Sequence, residues 1–225
     1  MSISSIYKIK CLFGGEASVG KSSIVHLLTK DNIETDIEPT IGMSFAVKNI
    51  ELEEYFDKFG KKQSIKAHTW DSAGSMRFRS IVRSYLRDLD IVFLVFDLNE
   101  RRSWDALIKW KSEIEEFRKY DKLPLFVIVG NKSDRHKYEV TMSEIDELCK
   151  EWNAKRYIIS CKESNSSSMI KRMFYFTVKE YHEHLLWLKH NKKELPEHVT
   201  DDYCESILRM DIEPNAAHYG YCCYQ

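Results

Sequence analysis

Gly15, Glu16, Ala17, Ser18, Val19, Gly20, Lys21 and Ser22 spell G-x-x-x-x-G-K-S, a spacing suited to the capture of phosphate groups. Glycine lets such a loop wrap closely, and successive backbone N–H groups and the N-terminus of the following helix donate to anionic oxygens. Lys21 adds a cation at the terminal phosphates of a nucleotide, and Ser22, followed by Ser23, offers a hard oxygen to Mg2+. A ligand-free glycine turn is the plain alternative, but the apolar run before the loop and the Lys-Ser pair speak for phosphate. The loop alone does not choose between ATP and GTP.

Asn131, Lys132, Ser133 and Asp134 follow the apolar run LFVIVG, which places them at the carboxyl end of a strand, where open α/β sheets bind ligands. Two carboxylate oxygens on Asp134 complement the ring N–H and amino group of guanine; adenine offers no such pair of donors. The Lys132 stem can lie along a purine face and Asn131 can brace the loop. After the next apolar run, Ser160, Cys161 and Lys162 put a backbone N–H within reach of the guanine carbonyl. Each segment alone would pass as a surface turn; in this order and spacing they point to GTP and GDP.

Two further segments can sense a γ-phosphate. Asp71, at the end of a strand, suits a carboxylate that holds Mg2+ through water, and the N–H of Gly74 can approach the phosphate. Thr40 can offer its hydroxyl to Mg2+ and its N–H to the phosphate, contacts that last only while the third phosphate is present. Metal-ligating candidates are therefore Ser22, Thr40 and Asp71. Hydrolysis would rest on Lys21, Thr40, Gly74 and Ser75.

Positioning these groups requires alternating strands and helices. Short apolar runs rich in β-branched and aromatic residues alternate with segments of helical period. The pattern predicts strands over 7–14, 45–52, 65–71, 91–97, 125–130 and 157–160, and helices over 20–29, 77–87, 103–120, 143–151 and 166–190. The fold class is α/β, a mostly parallel six-stranded sheet with helices on both faces and one antiparallel edge hairpin. Between Leu52 and Ile65 the polar stretch EEYFDKFGKKQS is expected to protrude as a surface loop. Residues 1–190 read as one domain and 191–225, interrupted by Pro196 and Pro214, as a flexible tail.

Composition narrows the partners. With 34 basic and 35 acidic residues and a net charge of -1, no global positive field draws nucleic acid. The six cysteines are scattered, apart from Cys222 and Cys223, and do not form a disulfide framework. The N-terminus shows no secretory pattern, which suggests a reducing cytosol.

From Tyr7 to His190 the chain resembles the Ras superfamily of small GTPases, with the five guanine-nucleotide motifs in order. PTIGMSF, WDSAGSMRFRSIVRSYLRD and YCCYQ resemble switch I, switch II and the prenylated end of the Rab branch. That resemblance implies the P-loop NTPase fold and a monomeric GTP/GDP switch in vesicle traffic. It implies effectors, an exchange factor, a GTPase-activating protein, a prenylation escort and a GDP-dissociation inhibitor. The location implied is the cytoplasmic face of intracellular membranes, in exchange with cytosol. Phe45, Trp70 and Tyr85 fall on the Rab aromatic triad that faces effectors; the alternative is core packing. Lipid is expected on Cys222 and Cys223, or on Cys222 alone as a C-a-a-X cysteine. The departures are equally specific. Ser75 and Met76 replace the glutamine and glutamate of switch II, Ile33 replaces an aromatic residue against the base, and Ala17 alters the phosphate loop. Slow hydrolysis follows, and with it the alternative of a largely GTP-locked, membrane-anchored interaction module.

Overall fold

A computed structural model of the chain describes residues 7–30, 38–56, 62–117 and 123–191. In chain order the elements are β1 (Tyr7–Gly14), α1 (Lys21–Lys30), β2 (Met43–Phe56), β3 (Lys62–Ser72), α2 (Arg79–Arg83), β4 (Ile91–Asp97) and α3 (Arg101–Phe117). They continue with β5 (Leu125–Asn131), α4 (Met142–Trp152), β6 (Lys155–Ile158) and α5 (Ser166–His190). Single 3-10 turns, Met76–Phe78 and Ser133–Arg135, precede α2 and follow β5.

The strands form one sheet in the order β2-β3-β1-β4-β5-β6. All neighbours are parallel except β2 and β3, which pair antiparallel at the edge. All seven residues of β4 and of β5 are buried, because helices cover both faces of a parallel sheet and leave no side for polar alternation. One apolar layer sets Ile24, Leu27 and Leu28 of α1 and Ile170, Phe174 and Val178 of α5 against Phe13 and Phe93. The opposite layer packs Val82, Leu107, Trp110 and Ile145 on Leu12, Leu94 and Ile128. This is the expected α/β P-loop NTPase architecture, with helices on both faces.

Three expectations need correction. The stretch after Leu52 is not a long loop: β2 continues to Phe56 and β3 begins at Lys62, so Leu52 pairs with Gln63 and, past a register irregularity, Phe56 with Lys62. An edge ribbon bathed in water can be charged and still hold its ladder, so low hydropathy misreads it as loop. The helix expected over 77–87 is shorter. Beyond Arg83 the backbone tightens into three-residue closures, Ser84 N to Ile81 O, Tyr85 N to Val82 O and Leu86 N to Arg83 O, at 3.2, 2.9 and 3.2 Å. Asp88 at φ 57 then stops the coil. Finally, the sixth strand lies two residues earlier than expected, which leaves Ser160 and Cys161 in the loop beyond its carboxyl end.

Candidate functional site

The phosphate-type loop joins the carboxyl end of β1 to α1. Gly15 takes φ +142, and a Cβ there would stand 2.1 Å from the Val95 carbonyl oxygen, so β4 is the wall that demands glycine. Gly20 takes φ +101, and a Cβ would stand 2.2 Å from Nδ2 of Asn131. Ser18 also sits at positive φ, 62°, without the freedom of glycine. Val19 and Lys21 are buried, whereas Ala17 and Ser18 are exposed at the loop tip. Lys21 Nζ donates to the Glu16 carbonyl at 2.6 Å, which holds the ammonium within the curl of the loop.

Asn131 ties this loop to the second one. Its Nδ2 donates to Val19 O at 2.8 Å, and its Oδ1 accepts from the Cys161 thiol at 3.6 Å. Asp134 Oδ1 accepts from Ser160 Oγ at 2.6 Å, and Ser160 Oγ in turn accepts from the Lys162 backbone N–H at 3.0 Å. Three separated segments, 15–22, 131–134 and 160–162, are thus joined by hydrogen bonds at one end of the sheet. Burial pushes the Cys161 thiol up to about 11, so it remains protonated and can donate to Asn131.

Two residues missed by sequence reasoning complete this corner. Lys132, at φ 63, sends Nζ to Asp97 Oδ2 at 2.7 Å. Asn99 donates to Asp97 Oδ1 and to the Lys132 carbonyl, each at 3.0 Å. Burial pushes the Asp97 carboxyl up, but the Lys132 bond and the Asn99 donors outweigh it and leave the group below its ordinary value. The signal was present: Asp97 is a lone carboxylate at the carboxyl end of the apolar run IVFLVFD.

The switch-type residues also converge. Ser22 Oγ lies 2.8 Å from Thr40 Oγ1 and donates to Asp71 Oδ2 at 2.6 Å, while Thr40 Oγ1 lies 3.0 Å from the same carboxylate oxygen. Asp71 Oδ1 is buried and has no partner among the described residues. Burial pushes this carboxyl up; the Ser22 hydroxyl, the Lys21 charge and the Thr40 hydroxyl pull the other way without cancelling it. Two hydroxyls and a half-satisfied buried carboxylate are hard oxygen donors in want of a cation, and they fit Mg2+. Gly74 has no room for a side chain, since a Cβ would stand 2.2 Å from Ala17 N and Glu16 C. Ser75, half-buried, follows it and accepts from Phe78 N through its carbonyl at 3.0 Å.

Phe45 is 53% exposed and Tyr85 38%, so neither is core; Trp70 is half-buried against Phe45, with ring centroids 5.0 Å apart. His68 joins that pair at 5.3 Å from Phe45 and 5.9 Å from Trp70. Its position two residues before Trp70, on the same face of β3, is the signal that would have found it. Ser23 is half-buried in the first turn of α1. Ile33, Cys222 and Cys223 lie outside the described residues. No described helix is long and apolar enough to cross a membrane.

Compared with known proteins, residues 10–183 match the Ras family model. The chain is 39% identical over 140 residues to Ras-related protein Rab-18 of Lymnaea stagnalis, covering 62% of this chain and 64% of that one. It is 37% identical over 139 residues to Ras-related protein RABA6a of Arabidopsis thaliana, covering 61% and 55%. The chain therefore spans less than two thirds of the length of these curated relatives.

Proposed function

The chain belongs to the Ras family, with a Rab-like sequence, and on that footing we propose that it is a guanine-nucleotide switch whose GTP form recruits effector proteins in membrane traffic. The observation that carries this is the bridge from Asn131 to Val19, beside the Asp134–Ser160 pair, because it sets a carboxylate fit to read guanine next to a loop fit to hold phosphate. In this function Gly15 to Ser22 cradle the phosphates with backbone N–H groups, and Lys21 neutralises their terminal charge. Lys132, fixed by Asp97, lays its stem along the base. Asp134 accepts the two guanine donors, and Cys161 N–H donates to the guanine carbonyl.

Ser22 and Thr40 would hold Mg2+ directly and Asp71 through water; the ion supplies charge neutralisation between phosphates. Thr40 and Gly74 would donate their N–H groups to the γ-phosphate, so its loss releases both segments. Hydrolysis needs a water placed in line, and Ser75 is too short to orient it as a glutamine does. A largely GTP-locked module is the second reading, favoured by that one residue. The nucleotide that co-purifies with the chain, identified after denaturation, tests both. GDP is expected of a cycling switch and GTP of a locked one; an adenine nucleotide would overturn the function.

A further inference from the structure

The turn that carries Asp134 is bent against the preference of its own backbone. Its 3-10 turn, Ser133–Arg135, is bounded by Lys132 at φ 63 and His136 at φ 52, both in the left-handed region without being glycine. A residue with a Cβ enters that region only against steric resistance, so surrounding structure must hold it there. Within the turn, Arg135 N donates to Lys132 O at 3.2 Å, a long closure that does little to resist relaxation.

Side chains on either flank supply the hold. Asn99, two residues past the end of β4, donates from Nδ2 to the Lys132 carbonyl at 3.0 Å and accepts the Lys137 N–H at Oδ1 at 3.1 Å. One carboxamide therefore spans the turn, bonding beside each of its two left-handed residues. Asn99 Nδ2 also donates to Asp97 Oδ1 at 3.0 Å, which fixes the sense of the amide. Reversed, its oxygen would face a carboxylate and a carbonyl. Tyr138, 42% exposed, donates its hydroxyl to the Ser133 carbonyl at 3.0 Å and grips the middle of the turn.

We propose that Asn99 and Tyr138 are positioning residues for the nucleotide base, and that loss of their grip on residues 132–137 is the step that opens the base pocket and releases the nucleotide. Lys132 and Asp134, which stack on and pair with the base in the proposed function, both lie on the gripped segment. Ser160 Oγ holds one oxygen of Asp134 from the pocket side at 2.6 Å, whereas Asn99 and Tyr138 hold the backbone that carries it. Guanine needs both Asp134 oxygens in register with two donors, so a small shift of this backbone loses one of the pair. Strain gives the motion its direction. Once the two outer bonds break, the left-handed residues relax and turn the carboxylate away from the base. The inference rests on the guanine-nucleotide function and names its release step.

The test follows release of a fluorescent GDP analogue from the full chain, loaded with Mg2+, into excess unlabelled GDP. Asn99→Ala should speed release about ten-fold, and Tyr138→Phe, which removes one hydroxyl and nothing else, about three-fold. The preference for GDP over inosine diphosphate, which lacks the 2-amino donor, should shrink in both variants, because the second Asp134 oxygen no longer meets its partner. Removing Mg2+ should speed release by the same factor in variants and wild type, since the phosphate side is untouched. A role confined to stability would lower the melting temperature of the nucleotide-free chain and leave the GDP preference intact. Should Asn99→Ala fail to fold, Tyr138→Phe alone decides. Release as slow as wild type in either folded variant, or faster release with an unchanged GDP preference, overturns the proposal and leaves the switch function standing. A wild-type chain that binds no GDP sinks that function and this proposal with it.

Discussion

At the scale of single residues, the proposed hydrolysis turns on Ser75. Ser75 follows Gly74, whose missing Cβ lets the strand end press on the Glu16–Ala17 backbone at distances that no side chain would tolerate. In the proposed function this backbone meets the γ-phosphate, while the side chain that would place the water is short. Phosphoryl transfer in such sites depends on positioning and charge stabilisation. Ser75→Gln should accordingly raise single-turnover hydrolysis of preloaded GTP, on the order of 10–100-fold, with GTP affinity nearly unchanged. Equal rates in the two proteins would show that this position does not limit water orientation and would remove the main support for a locked module.

Among the elements, α4 shows how local sequence fixes a helix boundary. Thr141 Oγ1 accepts from Glu144 N at 3.3 Å, and Glu144 Oε2 accepts from Thr141 N at 2.9 Å, a reciprocal cap. Arg101, at the start of α3, reaches Glu144 Oε1 at 2.5 Å and joins the two helix starts. The Thr141 backbone bond, followed by Arg101 and the Thr141 hydroxyl, draws the Glu144 carboxyl down to about 2. Because the folded value is below the unfolded one, its contribution is present above about pH 4.5 and lost as pH falls towards 2. Melting followed across that window should show a loss that Glu144→Gln abolishes, and Thr141→Ala should cost about 1 kcal/mol. An unchanged pH profile in Glu144→Gln would assign the acid sensitivity elsewhere. The two helices were legible, although α3 begins at Arg101 and α4 at Met142 where the sequence suggested 103 and 143; β1, β4 and α5 were legible too, their apolar runs or helical period ending at glycine, aspartate or a change of composition. The continuation of β2 past Leu52 to Phe56 and the start of β3 at Lys62 were not, because the polar run EEYFDKFGKKQS shows no strand period, and the early end of α2 was not, because its coil changes type without any glycine or proline to announce it. Nor does a linear sequence show that Lys132 folds back on Asp97, a contact that exists only because β4 and β5 are neighbours in the sheet.

For the whole molecule, one topological fact gathers the site: β1, β3, β4, β5 and β6 are parallel, so their carboxyl ends open on one edge. Gly15 to Ser22, Asp71 to Ser75, Asp97, Asn131 to Asp134 and Ser160 to Lys162 all follow or close those strands, while antiparallel β2 brings Thr40 to the same edge from its amino end. Motifs dispersed from residue 15 to residue 162 therefore meet at one edge of the sheet. Guanine selectivity is the property that depends on all of these pieces at once. Titration calorimetry of the nucleotide-free chain with GDP and with ATP, in the presence of Mg2+, measures it directly. GDP should bind at least about a thousand-fold more tightly, since adenine leaves Asp134 without its donors; comparable affinities for the two would contradict the assignment of the base pocket and the switch built on it.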